Sequence, residues 1–148
     1  MFHPKYIKLL TFCIFTLAQL DSNAEVSRIE ILQREQINAE GIDYSYEKIE
    51  GIVYLSLDPK DPKNEAITDI EFAPLNGEGR VEYAADFKLM VPSDNIANKG
   101  MLYMVNNRGR GVTPPENSLR DPLSGLGFTY LLTGWINEIE EQPGRLRL

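Results

Sequence analysis

Cysteine and histidine are almost absent from this sequence of 148 residues, which holds one of each. Both lie near the start of the chain, as His3 and Cys13, so neither residue type occurs from Glu25 to Leu148. A Ser-His-Asp or Cys-His catalytic arrangement therefore cannot form within that part of the chain. A disulfide and a Cys/His zinc site are excluded there for the same reason. We expect no metal and no cofactor.

Basic charge is also scarce, because 15 Lys and Arg residues stand against 22 Asp and Glu residues, a net charge of -7. A nucleic-acid-binding protein needs a basic stripe, so we expect no nucleic-acid partner. The chain is nevertheless 43% hydrophobic and 9% aromatic, which is enough to fold. Its length suits one domain or part of one.

No apolar run near the N-terminus is long enough to span a bilayer, since the run from Leu9 to Leu20 falls short of the ~20 residues required. It follows two lysines and precedes Ser22 and Ala24, small residues at the -3 and -1 positions of a cut after Ala24. This is the pattern of a secretory signal peptide, with an uncleaved anchor as the alternative. We therefore divide the chain into a signal peptide, 1–24, and a domain, 25–148. We expect a secreted or periplasmic protein with no stable membrane insertion after cleavage.

Hydrophobic patterning predicts a sheet. From Val81 to Val91 six apolar residues alternate, which predicts a strand whose other, wet face carries Lys88 and Met90. Met101–Val105 and Phe128–Leu132 are apolar without alternation, which predicts short strands buried on both faces. Weaker strand signals cover Val26–Leu32, Gly51–Leu57, Ile67–Phe72 and the Arg145–Leu148 terminus, a helical turn is predicted at Asp121–Gly127, and loops are predicted at Gly41–Lys48, Asp58–Asn64 and Asn76–Gly79.

The strongest candidate for a ligand or oxyanion loop follows the Met101–Val105 strand and consists of Asn106, Asn107, Arg108 and Gly109. In open α/β sheets, ligands bind beyond the carboxyl ends of the strands. Backbone amides in such a loop are suitable donors to an anion or oxyanion. The alternative is a tight turn in which Asn and Gly supply positive φ angles.

Trp135 follows the second predicted buried strand, Phe128–Leu132, so it also lies at a strand end. It is a candidate wall of a ligand pocket, and a core position is the alternative. The sequence contains no G-x-S-x-G nucleophile motif and no P-loop, so no catalytic residue is assigned.

Seven blocks carry a resemblance: Tyr46–Tyr54, Asp58–Asn64, Ile70–Gly79, Val81–Pro92, Leu102–Arg110, Phe128–Trp135 and Pro143–Leu148. Together, and in this order, they resemble the N-terminal part of a family of large, secreted, otherwise uncharacterised bacterial α/β-hydrolase domain proteins. The resemblance covers nearly all of Val26–Leu148.

The resemblance implies an α/β fold in which antiparallel N-terminal strands lead into the first strands of an α/β-hydrolase-type sheet. Met101–Val105 would be the strand before the oxyanion loop, and Asn106–Arg110 would be that loop. Phe128–Leu132 would be the next strand, which ends at Trp135. In that fold the nucleophile, acid and His follow much later in the chain. This sequence stops before all three.

We therefore expect a truncated N-terminal fragment of a secreted α/β-hydrolase-family protein, inactive by itself, whose parent reaction is ester-type hydrolysis. Its expected partner is the missing C-terminal hydrolase portion, and no small-molecule ligand is identified. The alternative is a complete, small, secreted β-rich binding or interaction module. Cooperative melting of a monomer, with slow amide exchange in Met101–Val105, would favour that alternative.

Overall fold

The computed structural model describes residues 24–38, 45–93, 100–113, 116, 123 and 126–148. They form one five-stranded sheet with two short 3-10 helices. The strands are β1 (Glu25–Asn38), β2 (Ser45–Leu57), β3 (Val81–Pro92), β4 (Met101–Tyr103) and β5 (Thr129–Thr133), and the 3-10 helices are Pro62–Asn64 and Ile70–Phe72. Apart from Ala24, the predicted signal peptide lies outside the described residues, as do most of the residues in the predicted helical turn of Asp121–Gly127.

The strands lie side by side in the order β1-β2-β3-β5-β4. The first three are antiparallel, β5 is antiparallel to β3, and β4 is parallel to β5. The architecture is thus a β-rich mixed sheet with few helical residues, as the expectation of antiparallel N-terminal strands requires. A parallel pair needs a crossover connection, and the chain from residue 104 to residue 128 provides it.

Strand β1 changes face part-way along its length because of a register shift between Ile31 and Gln33. Before the shift, Ile29 and Ile31 lie on the same face of the sheet as Phe87. After it, Ile37 pairs with Tyr46 and packs against the core on the opposite face. A bulge adds one residue to one strand, and one added residue reverses the side-chain alternation.

The prediction of a wet face on β3 is wrong in the second half of the strand. Met90 is completely buried and Lys88 is 7% exposed, although the alternation predicts that both lie on that face. Met90 in fact lies in the central core with Tyr46 and Tyr130, whose rings are 6.1 Å apart between centroids. The other face is buried at Phe87 as well. The error arises because alternation shows that two faces differ, not that one of them is wet.

Gly51 allows the Phe87 ring to approach the backbone of β2 closely. A Cβ at this position would come within 2.8 Å of the ring and would overlap the carbonyl of Glu30 on β1. Glycine weakens a strand on average, so its presence inside β2 is explained by this close approach.

The prediction that Met101–Val105 is buried on both faces is also wrong. β4 is an edge strand, and its side chains alternate between the core and solvent. Leu102 and Met104 pack against the core cluster, whereas Met101 and Tyr103 are exposed. The second predicted strand, β5, is more enclosed, with Tyr130 and Leu132 fully buried. A run of apolar residues cannot by itself distinguish an interior strand from an edge strand.

Three local predictions are also corrected. Ile67–Phe72 contains a 3-10 helix rather than a strand. Ser45–Lys48 belongs to β2 rather than to a loop. Arg145–Leu148, which we call the C-terminal segment, makes a single bridge, between Arg145 and Arg110, rather than a strand. In each case, tertiary contacts override weak local signals.

Candidate functional site

The parallel pairing of β4 and β5 brings the two predicted site segments together. Because the two strands run in the same direction, the residues after Tyr103 and those after Thr133 lie at the same end of the sheet, where both strands have their carboxyl ends. The indole Nε1 of Trp135 donates a hydrogen bond to the carbonyl of Asn106, at 3.0 Å. The two candidates from the sequence therefore belong to one site.

The side chain of Asn106 holds the loop in shape through two hydrogen bonds. Its side chain is 4% exposed, and its Nδ2 donates to the carbonyl of Thr133 at 2.6 Å. Its Oδ1 accepts a hydrogen bond from the amide of Gly109 at 2.8 Å. Buried polar atoms need such partners, and both ends of this carboxamide have one. Asn106 thus ties the loop to the end of β5 and positions the residues that follow.

Residues Asn107–Arg110 form a tight turn, closed in both directions by backbone hydrogen bonds of 3.0 Å between Asn107 and Arg110. The two central residues have positive φ angles, 47° at Arg108 and 77° at Gly109. Positive φ at both central positions defines a type I′ turn. Gly109 is required for a second reason, because a Cβ there would lie 2.6 Å from the carbonyl of Leu146.

The C-terminal segment packs under this turn. The amide of Leu146 donates to the carbonyl of Gly109 at 2.9 Å. Arg147 makes two 2.8 Å bonds with Asp86 on β3, one to its amide and one to its carboxylate. Gly134 lies directly against this segment, since a Cβ there would overlap the carbonyl of Arg147. The loop, the end of β5 and the C-terminal segment thus form a single packed unit.

A buried polar cluster, which the sequence did not predict as a site, holds the far end of the loop. The ammonium of Lys88 lies 3.1 Å from Oε1 of Glu116 and 3.3 Å from the carbonyl of Gly111. The same carboxylate accepts hydrogen bonds from the amide and hydroxyl of Thr113, at 2.9 and 2.8 Å. The only sequence signal was a lysine inside an apolar strand.

Burial alone would raise the pKa of Glu116. The two hydrogen bonds from Thr113 and the positive charge of Lys88 outweigh it and hold the pKa of this carboxyl below its ordinary value. The Glu116 carboxylate is therefore charged at neutral pH, and the cluster fastens Gly111, Thr113 and Glu116 to β3.

The amide groups of the loop are not equally available. Those of Asn107, Gly109 and Arg110 are used inside the turn. The amide of Arg108 has no recorded acceptor within the described part of the chain, and the residue is exposed. Trp135 is 50% exposed, so its indole, which is bonded to Asn106, is not a core residue. Of the four amides from Asn107 to Arg110, that of Arg108 is thus the one left available within the described residues.

Among the residues that the structure describes, no cluster of three or more His, Cys, Asp and Glu side chains is arranged to hold a metal ion. The described helices are all too short and too polar to cross a membrane. Comparison of the chain with models of protein families, with curated proteins and with solved structures gave no match.

Proposed function

We propose that the chain forms the N-terminal, oxyanion-loop part of a secreted α/β-hydrolase-type protein whose parent reaction is ester-type hydrolysis. The observation that carries the proposal is the loop of Asn106–Arg110 at the carboxyl end of β4, within a sheet that contains a parallel β4/β5 pair. In α/β-hydrolases, one oxyanion donor is a backbone amide in the loop that follows the third strand.

The strand order supports the same fold. In the proposed correspondence, β4 is the strand before the oxyanion loop and β5 is the next strand of the sheet, and the two lie side by side and parallel. The antiparallel strands β1, β2 and β3 precede them in the chain, in agreement with the proposed N-terminal lead-in. This is an argument from the fold, so the proposed chemistry rests on the loop as well.

The hydrogen bonds within the loop limit which of its amides we propose as the oxyanion donor. With the side chain of Asn106 and the amide of Gly109 bonded to each other, the proposed oxyanion donor is the amide of Arg108. Residues 25–148 contain neither His nor Cys and no G-x-S-x-G motif. The nucleophile, acid and His would therefore be supplied from outside these residues, and we propose that the chain has no hydrolytic activity by itself.

The donor assignment can be tested by titrating the ¹⁵N-labelled protein with methylphosphonate, a tetrahedral anion that resembles the oxyanion intermediate. The Arg108 amide resonance should shift, whereas that of Glu78, already bonded to Asn76, should not. Arg108→Asn removes the guanidinium but tolerates positive φ, so the shift should persist if the amide is the donor. A shift that disappears in this variant, or that never occurs at Arg108, would contradict the assignment.

The inactivity has its own test. The purified protein should hydrolyse p-nitrophenyl esters no faster than the buffer blank and should not be labelled by a fluorophosphonate probe. Labelling of any of its serines together with ester turnover would overturn this part of the proposal.

We also propose that the protein is secreted or periplasmic. Its support is the short apolar run Leu9–Leu20, followed by small residues at the -3 and -1 positions of a cut after Ala24. Mass spectrometry of the exported protein should give Glu25 as the first residue. An intact N-terminus on protein recovered from the cytoplasm would contradict the assignment.

A β-rich binding module is the second candidate function, and one observation favours it. Val26, Ile29 and Ile31 on β1 are exposed apolar side chains on one face of the sheet. Contiguous exposed apolar surface often marks an interaction site. Methylphosphonate titration separates the two candidates, because a binding module has no reason to bind an oxyanion mimic at Arg108.

A further inference from the structure

The tight turn and the C-terminal segment together form a small antiparallel ladder. In it, Arg110 pairs with Asn107 on one side and with Arg145 on the other. Beside the Arg110–Arg145 bridge, the amide of Leu146 donates to the carbonyl of Gly109, which is the pattern of a non-hydrogen-bonded pair. In such a pair the Cα atoms are about 4.5 Å apart and the side chains lie on the same face. The ladder therefore places Asn107, Arg110 and Arg145 side by side on one face, and we call these three residues the arginine row.

The opposite face of this ladder packs inwards. Gly109 and Leu146, the chain neighbours of Arg110 and Arg145, are buried there. Successive residues of an extended strand point to opposite faces, so burial of these two neighbours directs the row outwards. Asn107 and Arg110 are exposed, and Arg145 is half-buried. The row is therefore open to a ligand at one end and enclosed at the other.

The two arginines of the row lack the carboxylate partners that the cations of the strands have. Each strand Lys or Arg lies 2.8–3.1 Å from a carboxylate oxygen, namely Arg28, Arg34, Lys48 and Lys88. Although the net charge of the chain is -7, no described carboxylate is close enough to Arg110 or Arg145 for an ion pair. Like charges directly opposite each other on neighbouring strands are destabilising, so this pair costs stability.

The guanidinium of Arg145 has a donor that is buried and unused. Its Nε has no hydrogen-bond partner in the described part of the chain. Glu50 and Asp86 border the same cavity as Arg145. The carboxylate of Glu50, however, lies 3.7 Å from the ammonium of Lys48. That of Asp86 accepts from the amide of Arg147. Buried polar atoms almost always have a partner, so the Nε of Arg145 is a donor that suits a ligand.

We propose that the arginine row binds the carboxylate or phosphate group of a small molecule. A guanidinium presents its N–H donors in a planar fork that matches the oxygens of either group, and the carboxamide of Asn107 can add a further donor. An anion between Arg110 and Arg145 offsets their repulsion and accepts from the buried Nε. This inference does not depend on the proposed hydrolase function, because it uses side chains rather than the amide of Arg108.

The test is titration of the ¹⁵N-labelled protein with inorganic phosphate and, separately, with succinate, followed at the Nε–H resonances of the arginines. The resonance of Arg145 should shift in a saturable manner, whereas that of Arg80, already bonded to the hydroxyl of Ser56 at 3.0 Å, should not. A response to only one of the two anions supports the site and identifies the group that it takes. The proposal fails if neither anion gives a saturable shift at Arg145.

Two variants test the row itself. R110Q removes one guanidinium at an exposed position and should weaken binding at least about tenfold, because a charged hydrogen bond is lost. N107D keeps the shape of the side chain but places a carboxylate beside the anion, so it should weaken binding by a similar factor. R34Q is the matched control, since it removes an exposed arginine paired with Glu47, and it should bind within about twofold of the unmodified protein.

Stability gives a second readout. Without added anion, R110Q should raise the urea midpoint, because it removes the repulsion between like charges. Saturating phosphate should raise the midpoints of the unmodified protein and of R34Q more than that of R110Q, since a bound anion adds to the general stabilisation by phosphate. Equal gains in all three proteins, or binding by R110Q as tight as by R34Q, would overturn the proposal. The Arg108 amide should still respond to methylphosphonate in R110Q, so failure of either proposal can be told from failure of the other.

Discussion

The buried ammonium of Lys88 offers the sharpest test of the structure, because the sequence pattern places it on a wet face. Lys88→Met keeps the length of the side chain and removes its charge. The ammonium makes a charged hydrogen bond to Glu116 and a second bond to the carbonyl of Gly111. A charged bond contributes about 1.5–3 kcal/mol and an ordinary one about 1 kcal/mol.

The Lys88→Met variant regains part of the free energy of unfolding that is lost with these bonds. The methionine side chain needs no hydrogen-bond partner when it is buried, and Glu116 keeps its two bonds from Thr113 and some contact with solvent. Removing one partner of a fully buried ion pair costs about 3–5 kcal/mol, so the lower figure of about 2–3 kcal/mol is expected here. With a urea dependence of about 1–1.5 kcal/mol/M for a domain of this size, the unfolding midpoint should fall by about 2 M.

The assay is urea unfolding followed by the fluorescence of Trp135, the single tryptophan of the chain. Lys60→Met is the matched control, because Lys60 is exposed, and its effect should stay within about 0.5 kcal/mol. Combining Lys88→Met with Glu116→Gln should cost at least about 1 kcal/mol less than the sum of the two single variants. Additive effects, or a Lys88→Met variant as stable as the control, would refute the buried pair.

Three further predictions concern Gly134, Glu116 and Asn106. Gly134→Ala should lose about 2–4 kcal/mol, since its Cβ displaces the hydrogen-bonded C-terminal segment, whereas Gly77→Ala, with open space around it, should be neutral in the same urea assay. Glu116 has a lowered pKa, so the stability advantage of the unmodified protein over Glu116→Gln should be complete above the ordinary glutamate pKa. It should vanish as the pH falls through the lowered one, and a difference that is constant with pH would contradict this. Asn106→Ala should cost about 2–3 kcal/mol by leaving two buried backbone groups without partners, and Asn107→Ala, at an exposed position, should cost much less.

The sequence predicted local structure correctly where a short segment determines its own conformation. The proline- and aspartate-rich stretch of Asp58–Asn64 forms the predicted turn, in which Asp61 accepts from the amide of Lys63 at 2.9 Å. The predicted Asn76–Gly79 turn is closed by a 3.0 Å bond, with Gly79 at a φ of 77°. The long alternation of β3 likewise predicted a strand of nearly the observed extent. Turn residues and strand period act over a few residues, so no distant contact is needed to interpret them.

The candidate loop was predicted only in part. Its location, and that of Trp135, followed from strand ends, and the structure brings the two together through the 3.0 Å bond of the indole to Asn106. The separate roles of the loop residues could not be predicted from the sequence. The hydrogen bonds that hold Asn106 and the turn after it involve Thr133 and the C-terminal segment, which are far away in sequence.

The sequence by itself determined the long strand β3 by its period, the turns at Asp58–Asn64 and Asn76–Gly79 by their Pro, Asp, Asn and Gly residues, and the exclusion of His and Cys chemistry from residues 25–148. Only the tertiary structure decided that β5 inserts between β3 and β4 and that Lys88 is buried. It also decided that Met101–Val105 lies at an edge. The physical reason is that burial and strand order depend on which distant segments cover a face, and a period of two residues carries no information about those segments.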